Sequence, residues 1–326
     1  MHHAPRPPLH VAFASMCVRI SVKSDYHVIG SRDAPGAGPW VFYQRCAASL
    51  CSLLKWPAVR ELPVLYLVDD ALPLWLRRAA RFQGVSLLNV SGAASDWPST
   101  PRYPHAPPRA YSFHKFALWR LGAYFERIVF FDADVFFVRD PGPLLQLTSS
   151  DADALWAVRM PAPPSKWKAH QDQALGRYFN SGLMVFRPTD ETYQLIMRAW
   201  RTDGYKLYAA DENDVGDQDL LIEVYTINST NKATRLRALP SCAHFRTAKR
   251  DYQRRCLEPE GLKERVIVHG TYHFGPSEKA AGWKLFRSGT KCNAEGPLPS
   301  GRPRFAGSID VVRPGPRSVR VRLTSH

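Results

Sequence analysis

Two carboxylates one residue apart, Asp132 and Asp134, stand between the apolar runs Ile128–Phe131 and Val135–Val138. Short runs rich in β-branched and aromatic residues read as strand buried on both faces. A carboxylate lacking a counter-charge does not belong inside such a strand, because its desolvation is costly. The pair therefore belongs at the strand's C-terminal end, where open α/β sheets bind their ligands. Two oxygen ligands at that place suit a hard divalent cation, Mn²⁺ or Mg²⁺, carried by a diphosphate. Taken alone, Asp-x-Asp is also a common strand-ending turn, and the spacing recurs at Asp151 and Asp153. That second copy follows Ser149 and Ser150 and precedes no long apolar run, so it reads as a solvated turn.

Three further segments carry groups that fit the same chemistry. Tyr178 to Phe186 is an apolar strand interrupted by Asn180, Ser181 and Gly182. Amide and hydroxyl groups beside a glycine can reach sugar hydroxyls at close range, although a β-bulge explains the glycine equally well. Gly216-Asp217-Gln218-Asp219 precedes an apolar run. A carboxylate next to a carboxamide can bind a polyol or stabilise developing positive charge, and the stretch also reads as a helix start capped by Asp217. The fourth segment runs from His269 through His273 and Gly275 to Lys279. An imidazole there completes a metal site and a lysine holds phosphate, while either histidine also fits a hydrogen-bonded strand end.

The elements that must position these groups alternate along the chain. Strands are predicted at Val11–Val22, Leu62–Val68 and Val85–Val90, and helices at Trp40–Lys55, Pro73–Phe82 and Tyr111–Phe125, the last leading into the strand that ends at Asp132. Such alternation gives a Rossmann-like α/β domain with a mainly parallel central sheet and helices on both faces. Ala154–Val158 and Arg265–Phe274 read as later strands and Thr189–Arg201 as a helix. Residues 1–10 are read as a flexible leader, 11–290 as a single catalytic domain and 291–326 as a basic tail rich in Pro and Gly, with an edge strand at Ser318–Leu323. The prolines and lysines around Trp167, within Pro161–Asp172, suggest a lid.

At 326 residues, 45% hydrophobic and 22% charged, the composition is that of a folded domain. The formal charge of +15 suits an anionic nucleotide, a nucleic acid or an anionic surface, but seven Lys/Arg against Glu295 and Asp310 fall in the tail. Specific nucleic-acid binding needs basic and aromatic residues interleaved on one face, which this distribution does not offer. Six cysteines without a Cys-x-x-Cys pair exclude a zinc site of the usual spacing. Cys46 and Cys51 read as small buried helix residues, and Cys242, Cys256 and Cys292 as the source of one disulfide. No apolar run has the length of a membrane span. The compartment stays open, with the cytoplasm favoured, and a homodimer is compatible.

The ordered set Lys115, Asp132-Ala-Asp134, Phe179-Asn-Ser-Gly182, Gly216-Asp-Gln218, His273, Gly275, Lys279 and Trp283 resembles the family-8 glycosyltransferases, the glycogenin-like group. The resemblance covers roughly residues 11 to 286. It implies a GT-A-like fold and transfer of a hexose from a nucleotide sugar, usually UDP-linked, to a hydroxyl of a carbohydrate, protein or lipid acceptor, with Mn²⁺ and with retention of configuration. By it, Asp132, Asp134 and His273 hold the metal, with His269 as the alternative ligand. Lys279 and Gly275 serve the diphosphate, Lys115 contacts the donor, Asn180 and Ser181 line the sugar pocket, and Asp217 and Gln218 are catalytic. The late motif departs from the family's pattern: the glycine comes one position early, and Ala-Ala-Gly separates Lys279 from Trp283. A metal-dependent nucleotidyltransferase shares the strand-end carboxylates but does not need the Asn180 or Asp217 segments. A basic nucleic-acid-binding protein is the remaining alternative.

Overall fold

The computed structural model describes residues 11–18, 39–59, 61–90, 110–147, 154–159, 178–202, 216–227, 235–246, 256, 258–269, 305–309 and 321–325. Twelve strands fall in this set: β1 (Ala12–Cys17), β2 (Val64–Val68), β3 (Ser86–Asn89), β4 (Ile128–Phe131), β5 (Val135–Phe137), β6 (Ala154–Arg159), β7 (Phe179–Phe186), β8 (Arg235–Ala238), β9 (His244–Arg246), β10 (Ile267–His269), β11 (Phe305–Ile309) and β12 (Val321–Ser325). Nine form one sheet in the order β12-β11-β3-β2-β1-β4-β7-β6-β8, and β5-β10-β9 form a second. In the large sheet β1 pairs in parallel with β2 and β4, and β3 with β2. β7 runs antiparallel to both of its neighbours, β4 and β6.

Helices cover both faces, as the strand–helix alternation requires. On one face lie α1 (Pro39–Leu54) and α2 (Leu74–Phe82), packed over Phe13, Tyr66, Phe131 and Val185. On the other lie the 3₁₀ helix Ala110–Leu121, α3 (Asp190–Arg201) and α4 (Asp217–Ile222), packed over Ala14, Phe130, Met184 and Phe186. β4 thus contributes Phe130 to one core and Phe131 to the other, and every residue of it is buried. Trp119 of the 3₁₀ helix stacks on Phe186 at 3.9 Å and donates its indole N–H to Tyr225 Oη at 2.9 Å. α3 starts at Thr189, whose hydroxyl accepts from Thr192 N at 3.1 Å, with Asp190 and Glu191 in the first turn where the helix dipole favours acid.

Three expectations change. The segment from Tyr111, predicted as an amphipathic α-helix, is a 3₁₀ helix with almost no wet face: Ser112, His114 and Lys115 are buried along with Phe113, Phe116 and Trp119. It lies between the sheet and α3, so its polar side faces the candidate site instead of water. The cysteines differ in part. The one disulfide expected among Cys242, Cys256 and Cys292 is there as Cys242–Cys256. Cys46, read as a small buried helix residue, is instead bonded to Cys17, and Cys51 is disulfide-bonded too. Cys17 ends β1 and Cys46 lies on α1, a pairing that sequence spacing does not reveal. Finally, the edge strand expected at Ser318–Leu323 is present as β12, antiparallel to β11, but β11 itself, which pairs in parallel with β3, was not expected. No described helix is long and apolar enough to cross a membrane.

Candidate active site

Asp132 and Asp134 occupy the step between the two sheets. The chain leaves the large sheet at Phe131 and enters the small one at Val135, so the intervening residues lie at the C-terminal end of β4. The step is held from both sides. Asp132 N donates to Gly182 O at 3.0 Å, tying it to β7. On the α1 side, Ser49 Oγ donates to Val135 O at 2.6 Å, and Phe137 N donates to Ser52 Oγ at 2.9 Å. These two serines, three residues apart on an otherwise apolar helix face, escaped the sequence reading, although polar residues inside an apolar stripe are the signal that could have found them.

The third member of the cluster is His269. In the β5–β10 ladder it stands opposite Val135, which brings its Nε2 within 3.0 Å of Asp134 Oδ1. One ligand atom each from Asp132, Asp134 and His269 lies within 4.8 Å of the others. Adjacent ligands of an octahedral ion bound at about 2.1 Å are about 3.0 Å apart, so the Asp134–His269 pair has the spacing of two such ligands. Two carboxylates with one imidazole make a donor set for Mn²⁺ or Mg²⁺. His273, the ligand favoured from the sequence, lies outside the described residues, as do Gly275, Lys279, Trp283 and the segment Pro161–Asp172.

Lys115 organises the charge. Its side chain, 1% exposed as a residue, places Nζ 3.1 Å from Asp132 Oδ1 and 2.6 Å from Asp217 Oδ2. Burial alone would lower the ammonium's affinity for its proton, but the two carboxylates outweigh it and hold the group at about 12. Burial likewise pushes Asp217 up, and the Lys115 charge together with hydrogen bonds from Lys115, Ser181 and Ser112 brings it below the usual carboxylate range. Asp132 goes the other way: burial dominates, offset in part by Lys115, and the nearby Asp217 and Asp134 charges add to the rise. The shorter contact thus identifies Asp217 as the ion-pair partner and leaves Asp132 with negative charge still to be neutralised. A bound cation would supply that neutralisation.

Asp217 and Gln218 open α4, but the helix cap is Gly216, not Asp217. Gly216 N donates to Asp219 Oδ2 at 2.9 Å, and Asp217 turns inward to accept from Ser181 Oγ at 2.6 Å. Gln218 Oε1 accepts from Asn180 Nδ2 and Ser181 N, each at 3.3 Å. Asn180 Oδ1 in turn accepts from Gly182 N at 2.9 Å. The β6–β7 register jumps here: Ala157 pairs with Met184 and Val158 with Asn180, so Ser181 to Leu183 bulge out of the ladder. The glycine therefore marks the bulge that was one reading of the sequence, and it lies against the His269 ring. A side chain at Gly182 would put its Cβ 2.6 Å from His269 Cε1, so only glycine admits the imidazole.

The arrangement combines a cation site, a buried ion pair and a row of amide and hydroxyl groups at the C-terminal end of a central strand. Known proteins share the fold. The galactosyltransferase LgtC, solved with donor and acceptor sugar analogues, superposes with a TM-score of 0.52 over 90% of this chain and 98% of its own, at 14% identity. The fold is GT-A. Within this GT-A domain, residues 124–281 match the family model of nucleotide-diphospho-sugar transferases. Two Arabidopsis thaliana proteins align with the GT-A domain at 30% identity. One is the putative UDP-glucuronate:xylan alpha-glucuronosyltransferase 3, over 128 residues, and the other UDP-glucuronate:xylan alpha-glucuronosyltransferase 1, over 182. The matches cover 38% and 55% of this chain but only 16% and 22% of those proteins.

Proposed function

We propose that the protein is a divalent-metal-dependent glycosyltransferase of the family-8 type, moving a sugar from a UDP-linked donor to an acceptor hydroxyl with retention. The observation that carries this reading is the Asp132, Asp134 and His269 cluster set beside the Lys115–Asp217 ion pair at the end of β4. Asp132, Asp134 and His269 would hold Mn²⁺ or Mg²⁺, which when bound supplies positive charge to the departing diphosphate. Lys279 is retained from the sequence as a diphosphate contact. Lys115 fixes Asp217 in its ionised form, and that fixed charge favours a sugar carbon becoming electron-poor as the donor bond breaks. Asn180, Ser181 and Gln218 present amide and hydroxyl groups to sugar hydroxyls, already oriented by their mutual hydrogen bonds. The named activity of the two plant relatives makes UDP-glucuronate one donor to try, beside UDP-glucose, UDP-galactose and UDP-xylose. The disulfides favour an oxidising compartment over the cytoplasm.

The deciding experiment measures UDP release from that donor panel, with and without Mn²⁺, in wild type and in the double variant Asp132→Ala, Asp134→Ala. We expect metal-stimulated release in wild type and none in the double variant. Equal release by the two proteins would overturn the assignment of the metal site.

A further inference from the structure

The proposed metal site has an uncommitted feature on its protein side, the residue behind His269. His269 Nδ1, on the edge of the ring away from Asp134, lies 2.8 Å from His244 Nε2, and the two ring planes are within 20° of each other. We infer that His244 is the positioning residue that fixes the tautomer and aim of His269; this rests on the metal site proposed above. An imidazole binds a cation through a nitrogen lone pair, and the neutral ring carries its proton on the other nitrogen. Asp134, 3.0 Å from Nε2, favours a proton on that nitrogen, because its carboxylate accepts a hydrogen bond. That tautomer turns an N–H toward the site where a lone pair is needed. His244 opposes it: with the proton on His269 Nδ1, His244 Nε2 accepts the bond and Nε2 of His269 is left open to the cation. The proton of neutral His244 then resides on its own Nδ1. The tautomer of the ligand is thus settled by competition between Asp134 on one side and His244 on the other.

His244 is built into the fold with the rigidity this task needs. It is 1% exposed and starts β9, which pairs in parallel with β10 so that His244 stands opposite Ile267. His269, two residues further along β10, projects from the same face as Ile267. Just before it, Ala243 O accepts from Val266 N and Ile267 N, and the Cys242–Cys256 disulfide anchors the turn. On its other flank His269 is stopped by the β7 backbone, where any Cβ at Gly182 would come within 2.9 Å of Nδ1. The ring is confined on that flank, and His244 Nε2 is placed to accept its proton. Hydrogen-bond partners of metal-binding histidines are usually carboxylates or carbonyls, and losing one weakens metal affinity by roughly ten- to hundredfold.

The test is Mn²⁺ alone, titrated against wild type, Asp132→Asn, His244→Leu and His244→Gln, with free Mn²⁺ read by electron paramagnetic resonance and folding checked by thermal melting. In parallel, ¹⁵N shifts of the His269 ring in the metal-free protein report which nitrogen bears the proton. We expect Asp132→Asn to abolish saturable binding and His244→Leu to weaken it by roughly ten- to hundredfold while moving the His269 proton to Nε2. His244→Gln, whose side-chain oxygen reaches the position of Nε2, should bind within about threefold of wild type. Wild-type affinity in His244→Leu, with binding lost in Asp132→Asn, would overturn the inference while leaving the metal site standing. Undiminished binding in Asp132→Asn would remove the site itself and the inference with it. Should the leucine variant fail to fold, His244→Gln and His244→Asn decide, since asparagine falls short of His269: equal affinities would overturn the role assigned to His244.

Discussion

Lys115 has its ammonium closed between Asp132 and Asp217. Replacing it by methionine keeps the bulk but strands two carboxylates in a dry place. The expected loss is about 3–5 kcal/mol of folding stability, the usual cost of breaking a buried ion pair from one side, measured as a lower urea midpoint. A second residue-scale prediction concerns Gly182→Ala. Its methyl group would meet His269 Cε1 at 2.6 Å and Asn180 Oδ1 at 2.8 Å, both on side chains held by other bonds. Mn²⁺ titration should show weakened binding, with KM for the donor raised as Asn180 shifts. At this scale the sequence was informative wherever chemistry forces a residue type: Asp132, Asp134, Asn180, Asp217 and Gln218 all stand at one place in the fold. Ser49 and Ser52 showed only as polar breaks in an apolar stripe, with nothing local to name partners 86 and 85 residues away. His244, 25 residues from His269, left no local pattern.

The short strands β8, β9 and β11 were not expected, whereas β2, β3, β4, β6, β7 and helices α1 to α3 were readable from apolar periodicity, to within a few residues at their ends, because both their faces or one clear stripe are dry. Ala110–Leu121 was misread for the opposite reason. The spacing of Phe113, Phe116, Ala117 and Leu121 suggested one stripe, whereas the supposedly wet residues between them are buried, Ser112 and Lys115 against the site. His114 is buried without such a contact. It is 4% exposed, its Nδ1 has no hydrogen-bond partner among the described residues, and burial pulls its imidazolium down to about 4. An unfolded histidine takes up its proton near pH 6.5, the folded one only near 4, so the unfolded state gains protons first as pH falls. Folding stability from this group is therefore complete above pH 6.5 and declines between 6.5 and 4. Between pH 6.5 and 4.5 it should cost about 2 kcal/mol, and urea denaturation of His114→Gln should show a slope shallower by that amount.

At the scale of the whole molecule, the nine-stranded sheet of the described residues is stapled by a disulfide, Cys17–Cys46, that the sequence did not disclose. Cys46 looked like a core residue because its partner, Cys17, lies 29 residues away on another element. The Cys242–Cys256 loop, closed over a separation of 14, should be worth about 3 kcal/mol, read as the drop in urea midpoint when both are changed to serine. Because that loop carries His244, the same double variant should also bind Mn²⁺ more weakly than its loss of stability alone explains. Within the Pro- and Gly-rich stretch after 291 the sequence suggested an edge strand only at Ser318–Leu323, yet β11 also finds the open edge of β3. Edge pairing depends on backbone groups, which every residue but proline supplies, and composition therefore says little about it.

The antiparallel seam between β4 and β7 has a consequence of its own. Phe131 faces Leu183, and the very next amide, that of Asp132, is bonded to Gly182. The carboxylates at the end of β4 and the amide and hydroxyl groups of β7 are thereby set against each other like the two scales of a vernier. With Leu183 pinned opposite Phe131, an added or missing residue between Ser181 and Leu183 would turn Asn180 and Ser181 to the opposite side of the sheet while Asp132 stayed where it was. Surface connections are free to lengthen or shorten, but the residue count along this short interval is fixed by the register.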